Sequence, residues 1–377
     1  MSKPSISPSM PTTTAMRDLP KIDHNYRLAE LRRVMEDQAI DCFLSTDGVS
    51  VRWASGFTGS AGQLVVNESD AYLITDARYA DQAVREIEGT NIELFVGNGA
   101  EQKDFRSTRL AKTKTLTLES ERITWGAAEA LREETGLEVK PSFDLIANLR
   151  REKDLGEIAR IEIAAAVADE AIAQVLNQLA EGPTEIEFAR LLEGAMLDGG
   201  AEALSFETIC ASGPNAAAPH ARPSNRVISS GDLVVIDFGA VIDGYHSDMT
   251  RTYIVEHADT ASQDMVGSVA EAQERGCEVL RPGVKASEVD EACRSYLADK
   301  GLADYFVHGT GHGVGLEIHE APWINSKSSE ILKEGQVVTV EPGVYLPGVG
   351  GVRVEDTVLI TSSGFRRLSS APKDSIV

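Results

Sequence analysis

The feature that most constrains this chain is a pair of valine-rich runs, each ending in a carboxylate and turning back toward a second one. Asp232-Leu233-Val234-Val235-Ile236-Asp237-Phe238-Gly239 reads as a buried strand, and Ile242-Asp243-Gly244 as a tight turn. Tyr245 to Tyr253 then returns as a second strand carrying Asp248. The arrangement is repeated downstream, where Val337 to Glu341 runs into a Gly/Pro-rich turn and Gly351 to Val358 comes back with Glu355. The midpoints fall at Ile242/Asp243 and at Gly348, which predicts Asp237 opposite Asp248 and Glu341 opposite Glu355. Cross-strand partners lie about 4.5–5.5 Å apart at Cβ and share a face. One such pair could sit on the solvated side of a hairpin, but two in strands otherwise made of valine call for another reason. Carboxylates held this close in apolar surroundings repel one another unless cations lie between them.

A nitrogen ligand is offered by Val307 to His319, which holds His308, His312 and His319, three of the seven histidines in the chain. Its alternate glycines do not fit the dinucleotide fingerprint, because Val314 and Leu316 stand where a third glycine is needed. No phosphate-loop Lys-Ser/Thr pair follows, and there is no His-Glu-x-x-His zinc motif. A fourth histidine, His220, ends the small-residue loop Ala211 to Pro219, which would let a substrate approach closely. One histidine among four carboxylates is an oxygen-rich donor set. It suits Mn²⁺ or Co²⁺ at least as well as Zn²⁺. Paired carboxylates fit two ions about 3.5–4 Å apart, a geometry that serves hydrolysis.

Composition narrows the partners. Lys+Arg number 36 and Asp+Glu 59 in 377 residues, a formal charge of −23, which disfavours nucleic acid and anionic membrane surfaces. The four cysteines, Cys42, Cys210, Cys277 and Cys293, show neither a zinc-finger spacing nor a disulfide framework, so a reducing cytoplasm is expected. Residues 1–20 are rich in Ser, Pro and Thr, lack a signal-peptide core and are expected to form a disordered tail. No apolar run approaches the roughly 20 residues a spanning helix needs.

Residues 21–150 alternate strand-like and helical stretches and read as a first α/β domain. A second domain, 151–377, opens with a long periodic helix from Ile158 to Leu179 that Gly182-Pro183 stops. Thr184-Glu185-Ile186-Glu187 and Ser287-Glu288-Val289-Asp290 each resemble an N-cap signal after a longer helix, which suggests a duplicated half-domain.

The order Asp237, Asp248, His312, Glu341, Glu355 resembles the pita-bread dinuclear metallopeptidases. So do the strings Asp-Phe-Gly, Ser-Asp-Met-Thr-Arg-Thr, His-Gly-Thr-Gly-His-Gly-Val-Gly and Glu-Pro-Gly-Val-Tyr. Within that family the likeness is to the Xaa-Pro aminopeptidase (aminopeptidase P) and Xaa-Pro dipeptidase (prolidase) branch, and Arg52 to Gly62 resembles a loop of bacterial aminopeptidases P. The resemblance implies an α/β (α+β) chain with a creatinase-like N-terminal domain before a pseudo-symmetric pita-bread catalytic domain. It implies two divalent ions, Mn²⁺ first with Co²⁺ or Zn²⁺ as alternatives. Asp248 and Glu355 would bridge them, Asp237 would bind one, and His312 and Glu341 the other. Glu341 would also act as general base toward the bridging hydroxide. His220 and His319 would stabilise the tetrahedral intermediate, His308 would line the substrate pocket, and Arg353 and Tyr345 would form a hydrogen-bonded pair near Asp237 on the substrate side, with Arg353 steering substrate. Proline-containing peptides are the implied substrates, with an aminopeptidase placed ahead of a strict dipeptidase and a non-catalytic peptide-binding module last. A cytoplasmic homodimer, or else a tetramer, is the implied assembly.

Overall fold

The computed structural model describes residues 19–257, 259–373 and 376–377, so most of the expected tail, residues 1–18, lies outside the described residues. Two compact units emerge, Ile22–Arg150 and Arg151–Val377, with Leu19–Lys21 belonging to the second. In the first, a mixed six-stranded sheet runs in the order Glu93–Val96, Ala71–Thr75, Gly62–Asn67, Cys42–Ser45, Thr115–Glu119, Glu138–Ser142. Every residue of Cys42–Ser45 and Ala71–Thr75 is buried, which is why these strands read as unbroken apolar runs. The Arg52–Gly62 stretch, expected as a loop, begins inside a helix, Gly48–Ser55. The Asp47 side chain accepts from the Ser50 N–H at its start, and Gly56 closes it at φ 80°, where a side chain would be strained.

In the second unit, four helices are placed by their caps. Asp154 and Glu157 form a capping box at the start of Leu155–Val175, and Thr184 and Glu187 do the same for Glu185–Asp198. The other pair is Thr260–Val279 and Ala286–Asp299. Ser287 is not the N-cap that its sequence suggested. The Ala286 N–H still pairs with Glu330 O, so the helix is entered from Lys285, whose N–H donates to the Glu288 carboxylate.

Each helix pair lies over one of the valine hairpins and closes its own core. Ala168, Ile172, Phe188 and Leu192 pack with Val234, Ile236 and Phe238. Val269, Cys277, Val289 and Cys293 pack with Val338, Val340, Val358 and Ile360. Burying a large aliphatic or aromatic side chain contributes about 1.5–3 kcal/mol, so each half carries a sizeable core. The repeat suggested by the sequence is therefore visible as two similar helix-on-hairpin layers.

Both hairpins are interrupted at their acids. Leu233–Phe238 pairs with Met249–Ile254, and beyond the break Ala240–Ile242 pairs with Tyr245–His246. Thr250, not Asp248, is the partner of Asp237. The two-residue turn is Asp243-Gly244, at φ 44° and 71°, so its centre lies one residue beyond the predicted midpoint and every pairing moves by two. An even slip preserves the face, and the two aspartates become diagonal neighbours. At the break a Cβ on Gly239 would lie 2.0 Å from Ser247 O, so no other residue fits there.

In the second hairpin, Val337–Val340 pairs with Asp356–Thr361 and Gly343–Leu346 with Gly350–Arg353, in one continuous register. Glu341 and Glu355 face each other across the gap, as their spacing predicted. There the backbone changes partners: Glu355 N–H donates to Thr250 O (3.1 Å) and Glu341 N–H to Thr310 O (2.7 Å). The first of these bonds ties the two hairpins together at the acids. Among the described residues all four cysteines are buried and free, and no helix is long and apolar enough to cross a membrane.

Candidate metal centre

His312 is carried by the strand Gly311–Gly313, threaded between Val337–Val340 and Glu320–Ile324. A Cβ on Gly311 would fall 2.1 Å from Thr339 O, and one on Gly313 2.4 Å from Ala321 O. The alternate glycines are thus a packing requirement of this strand and not a phosphate cradle. His312 Nδ1–H donates to Gly313 O (3.0 Å), which fixes the tautomer and leaves Nε2 as a free lone pair. That atom lies 3.4 Å from Asp248 Oδ2 and 3.6 Å from Glu341 Oε1. Ligand atoms of Asp248, His312 and Glu355 all lie within 4.8 Å of one another.

The fit to cations rests on two orphaned oxygens. Thr250 Oγ1 donates to Glu355 Oε2 (2.7 Å), and Arg353 Nη2 donates to Asp237 Oδ2. The other oxygens of the same carboxylates, Glu355 Oε1 and Asp237 Oδ1, are buried and have no hydrogen-bond partner among the described residues. A buried acceptor left unmade is expensive, and here both belong to one acid cluster. Burial, and then the charges of Glu355, Asp237 and Glu341, hold the Asp248 carboxyl well above the usual range. Burial followed by Glu341 and Asp237 does the same to Glu355. Glu341 is raised by burial, with His308 and Arg353 partly opposing. His312 is pushed down by burial, toward the neutral form that ligates metals. Divalent cations would reverse the carboxylate shifts, so the residues present fit the metals that the sequence implied.

His308, Tyr345 and Arg353 form a strut behind Asp237. His308 Nδ1–H donates to Gly309 O (2.7 Å), Tyr345 OH donates to His308 Nε2 (2.9 Å), and Arg353 Nη1 donates to Tyr345 OH (2.8 Å). Arg353 Nε also donates to Thr250 Oγ1 (3.0 Å), joining Asp237 and Glu355 through one guanidinium. Supporting hydrogen bonds of this kind typically affect metal affinity or activity by about 10–100-fold. Tyr345→Phe, which leaves His308 Nε2 and one Arg353 N–H without their partner, is therefore expected to weaken metal affinity by about 10-fold or more and to lower the melting temperature of the metal-free protein by a few degrees. Metal titration of the variant checks this, and wild-type affinity would show that the strut is dispensable.

Of the ten residues singled out in the sequence, nine line one cavity of about 700 Å³: Asp237, Asp248, His312, Glu341, Glu355, His220, His308, His319 and Arg353. Tyr345 is buried behind it. His319 lies edge-on to His312, with ring centroids 4.4 Å apart. His220 follows Pro219, whose carbonyl accepts from Arg353 Nη1 (3.1 Å). Thr250 and Thr339 were missed, although each stands two residues from an acid on its strand and so shares its face. Trp323, Arg222 and Glu207 also line the cavity, and no sequence signal marked them.

A family profile described as Metallopeptidase family M24 matches residues 159–362, and one described as Creatinase/Prolidase N-terminal domain matches residues 27–151. The Xaa-Pro dipeptidase of Pyrococcus furiosus is 37% identical over 349 residues, covering 92% of this chain and 99% of that protein. The solved structure of an Xaa-Pro dipeptidase from Bacillus anthracis matches with a TM-score of 0.90 at 37% identity, over 94% of this chain and 100% of the other. That of an X-Pro aminopeptidase from Thermotoga maritima matches with a TM-score of 0.86 at 34% identity, over 92% and 100%. The expected fold class is borne out by these matches.

Proposed function

The chain belongs to metallopeptidase family M24, with a creatinase/prolidase-type N-terminal domain, and on that premise we propose that it hydrolyses the Xaa-Pro bond of dipeptides. The observation that carries a hydrolytic metal site is the convergence of Asp237, Asp248, His312, Glu341 and Glu355 in one cavity with two orphaned carboxylate oxygens. The dipeptide preference is supported by the names of the Pyrococcus furiosus and Bacillus anthracis relatives. It reverses the order favoured by the sequence alone, and the Thermotoga maritima aminopeptidase keeps the Xaa-Pro aminopeptidase reading as the alternative.

In this reading Asp237, Asp248, His312, Glu341 and Glu355 would hold two divalent ions, Mn²⁺ first and Co²⁺ or Zn²⁺ as alternatives, which would supply Lewis-acid activation of water and of the scissile carbonyl. Glu341 is the general base: its Oε1 lies 3.6 Å from His312 Nε2, among the ligand atoms, where it can take the proton of the activated water. It passes that proton to the leaving proline nitrogen, which has no N–H of its own in the substrate. His319, held neutral by burial and by the neighbouring His312, offers an N–H to the developing oxyanion, with His220 beside it in the cavity. The His308–Tyr345–Arg353 strut keeps Asp237 in place.

Steady-state rates on Xaa-Pro, Xaa-Pro-Xaa and proline-free dipeptides with each metal test the proposal. The expected result is a kcat/KM on Xaa-Pro at least about tenfold above that on the longer peptide, equivalent to about 1.4 kcal/mol. Equal or faster cleavage of the longer peptide would establish the aminopeptidase reading instead, and cleavage of neither would overturn both.

A further inference from the structure

Glu185 opens the helix Glu185–Asp198, but the cap of that helix is made by Thr184 and Glu187, which leaves the Glu185 carboxylate to another task. The residue is 0% exposed and is not part of the cavity lining. Its Oε1 accepts from the N–H and the Oγ of Ser212 (2.7 Å each), and its Oε2 from the N–H and the Oγ of Ser224 (3.0 and 2.6 Å). Asn215 Nδ2 donates to both oxygens at 3.2 Å. All of these donors belong to the segment 212–224, and one oxygen serves each end of it. A carboxylate suits this place because it accepts on two adjacent atoms and carries no donor of its own. Taking it out of water costs several kcal/mol. The segment's donors offset that cost, and the carboxylate in turn holds the segment closed.

His220 stands on the returning arm of that segment, and its neighbours Pro219 and Ala221 line the cavity with it. The regular structure of the segment is a single 3-10 turn, Gly213–Ala217, so its path depends on what holds it from outside. Asn215 carries the hold of Glu185 forward: its carbonyl accepts from Ala218 N–H (3.1 Å), and Ala218 O accepts from Ala221 N–H (3.2 Å), which brackets His220 on both sides. On the cavity side, Pro219 O accepts from Arg353 Nη1 (3.1 Å). His220 is thus suspended between a guanidinium that already holds Asp237 and a buried carboxylate that does not border the cavity.

We infer that Glu185 is a positioning residue for hydrolysis: it closes the 212–224 loop so that His220 stands where the oxyanion develops, and it acts through His220. The inference rests on the Xaa-Pro peptidase reading and on the part His220 plays in it. It is tested on the metal-loaded full chain with one Xaa-Pro dipeptide, comparing wild type, Glu185→Gln, His220→Ala and the double variant. Glutamine keeps the length of the side chain but turns a donor on one end of the loop. In Glu185→Gln kcat is expected to fall about tenfold or more, since a misplacement of about 1 Å can cost about 10²-fold, while KM and metal affinity stay within about twofold. In the His220→Ala background the same substitution should change kcat by less than about twofold, because the histidine it positions is gone. Should Glu185→Gln not fold, Ser224→Ala, which deletes one donor to Oε2, takes its place with the same pattern and a loss of about threefold. A wild-type kcat in the variant used, or a loss of the same size with and without His220, overturns the inference and leaves the peptidase reading intact. So does a fully active His220→Ala. If the wild type cleaves no Xaa-Pro peptide, the reading and the inference fall together.

Discussion

Asp248→Asn is expected to lower kcat/KM on Xaa-Pro substrates by about 10²–10³-fold or more, the loss typical of removing one preorganised group from an active site. Asp248 contributes a ligand atom to the cluster with His312 and Glu355 and is itself buried. Asparagine has the same shape, so the core around it has no reason to rearrange. The second half of the prediction has the opposite sign. In the metal-free protein Asp248 is a buried carboxyl facing Glu355, Asp237 and Glu341, whose charges disfavour its ionisation. Removing that charge should raise the melting temperature of the metal-free variant above that of metal-free wild type. Elemental analysis should find fewer bound ions. A variant that melts higher, binds less metal and is inactive carries the signature of a ligand. Wild-type activity would sink the assignment.

Stripping the metals should abolish activity and also change how stability depends on pH. Asp248, Glu341 and Glu355 all have carboxyls raised in the folded state. A raised acid binds its proton more tightly when folded than when unfolded, so its stabilising contribution is present below the ordinary carboxylate value, about 3.9–4.3, and is lost as pH rises through the folded value. Metal-free protein should accordingly lose stability from pH 5 upward. Bound cations favour the ionised carboxylates and cancel the loss, so the gain in melting temperature on adding Mn²⁺ should be larger at pH 8 than at pH 5. At a hundredfold excess over Kd each site adds about 2.7 kcal/mol. That corresponds to about 5–10 °C for a unit of this size. Thermal melts with and without chelator at the two pH values measure it, and a metal-induced gain independent of pH would contradict the clustered-carboxylate account.

Much of this site was legible in the chain because its ligands lie on strands, where side chains alternate with period two and apolar neighbours make an acid conspicuous. Glu341 and Glu355 face each other as expected, since the three-residue turn Pro347-Gly348-Val349 is centred on the predicted midpoint, Gly348. Asp237 and Asp248 were displaced by two residues, because a turn centred one position further along moves every pairing by twice that amount. What could not be read was contributed by tertiary packing. The helix Gly99–Arg109 has an Asn98/Glu101 capping box, but only Arg106 within it is buried, so no apolar stripe announced it. The Ser287 cap failed because a strand-like contact through Ala286 extended to the helix entrance. In the strut, the Arg353–Tyr345 pair beside Asp237 was implied by the family resemblance, whereas the bond from Tyr345 to His308 joins residues distant in the sequence with no periodicity to betray it.

Arg251 is fully buried and gathers the site from behind: its guanidinium donates to the carbonyls of Thr250, Glu355 and Ala371 and to the Asp356 carboxylate. The residue that seats Glu355 against the first hairpin is thus itself seated by a carbonyl well downstream. For a chain emerging from the ribosome, this sets an order of events. Asp237 and Asp248 are exposed to the cell long before Ala371 is made, an interval on the order of ten seconds at about 5–20 residues per second. Throughout that interval the nascent chain holds half of a site and no hydrolytic centre, so synthesis itself withholds the protease until its last strands are in place.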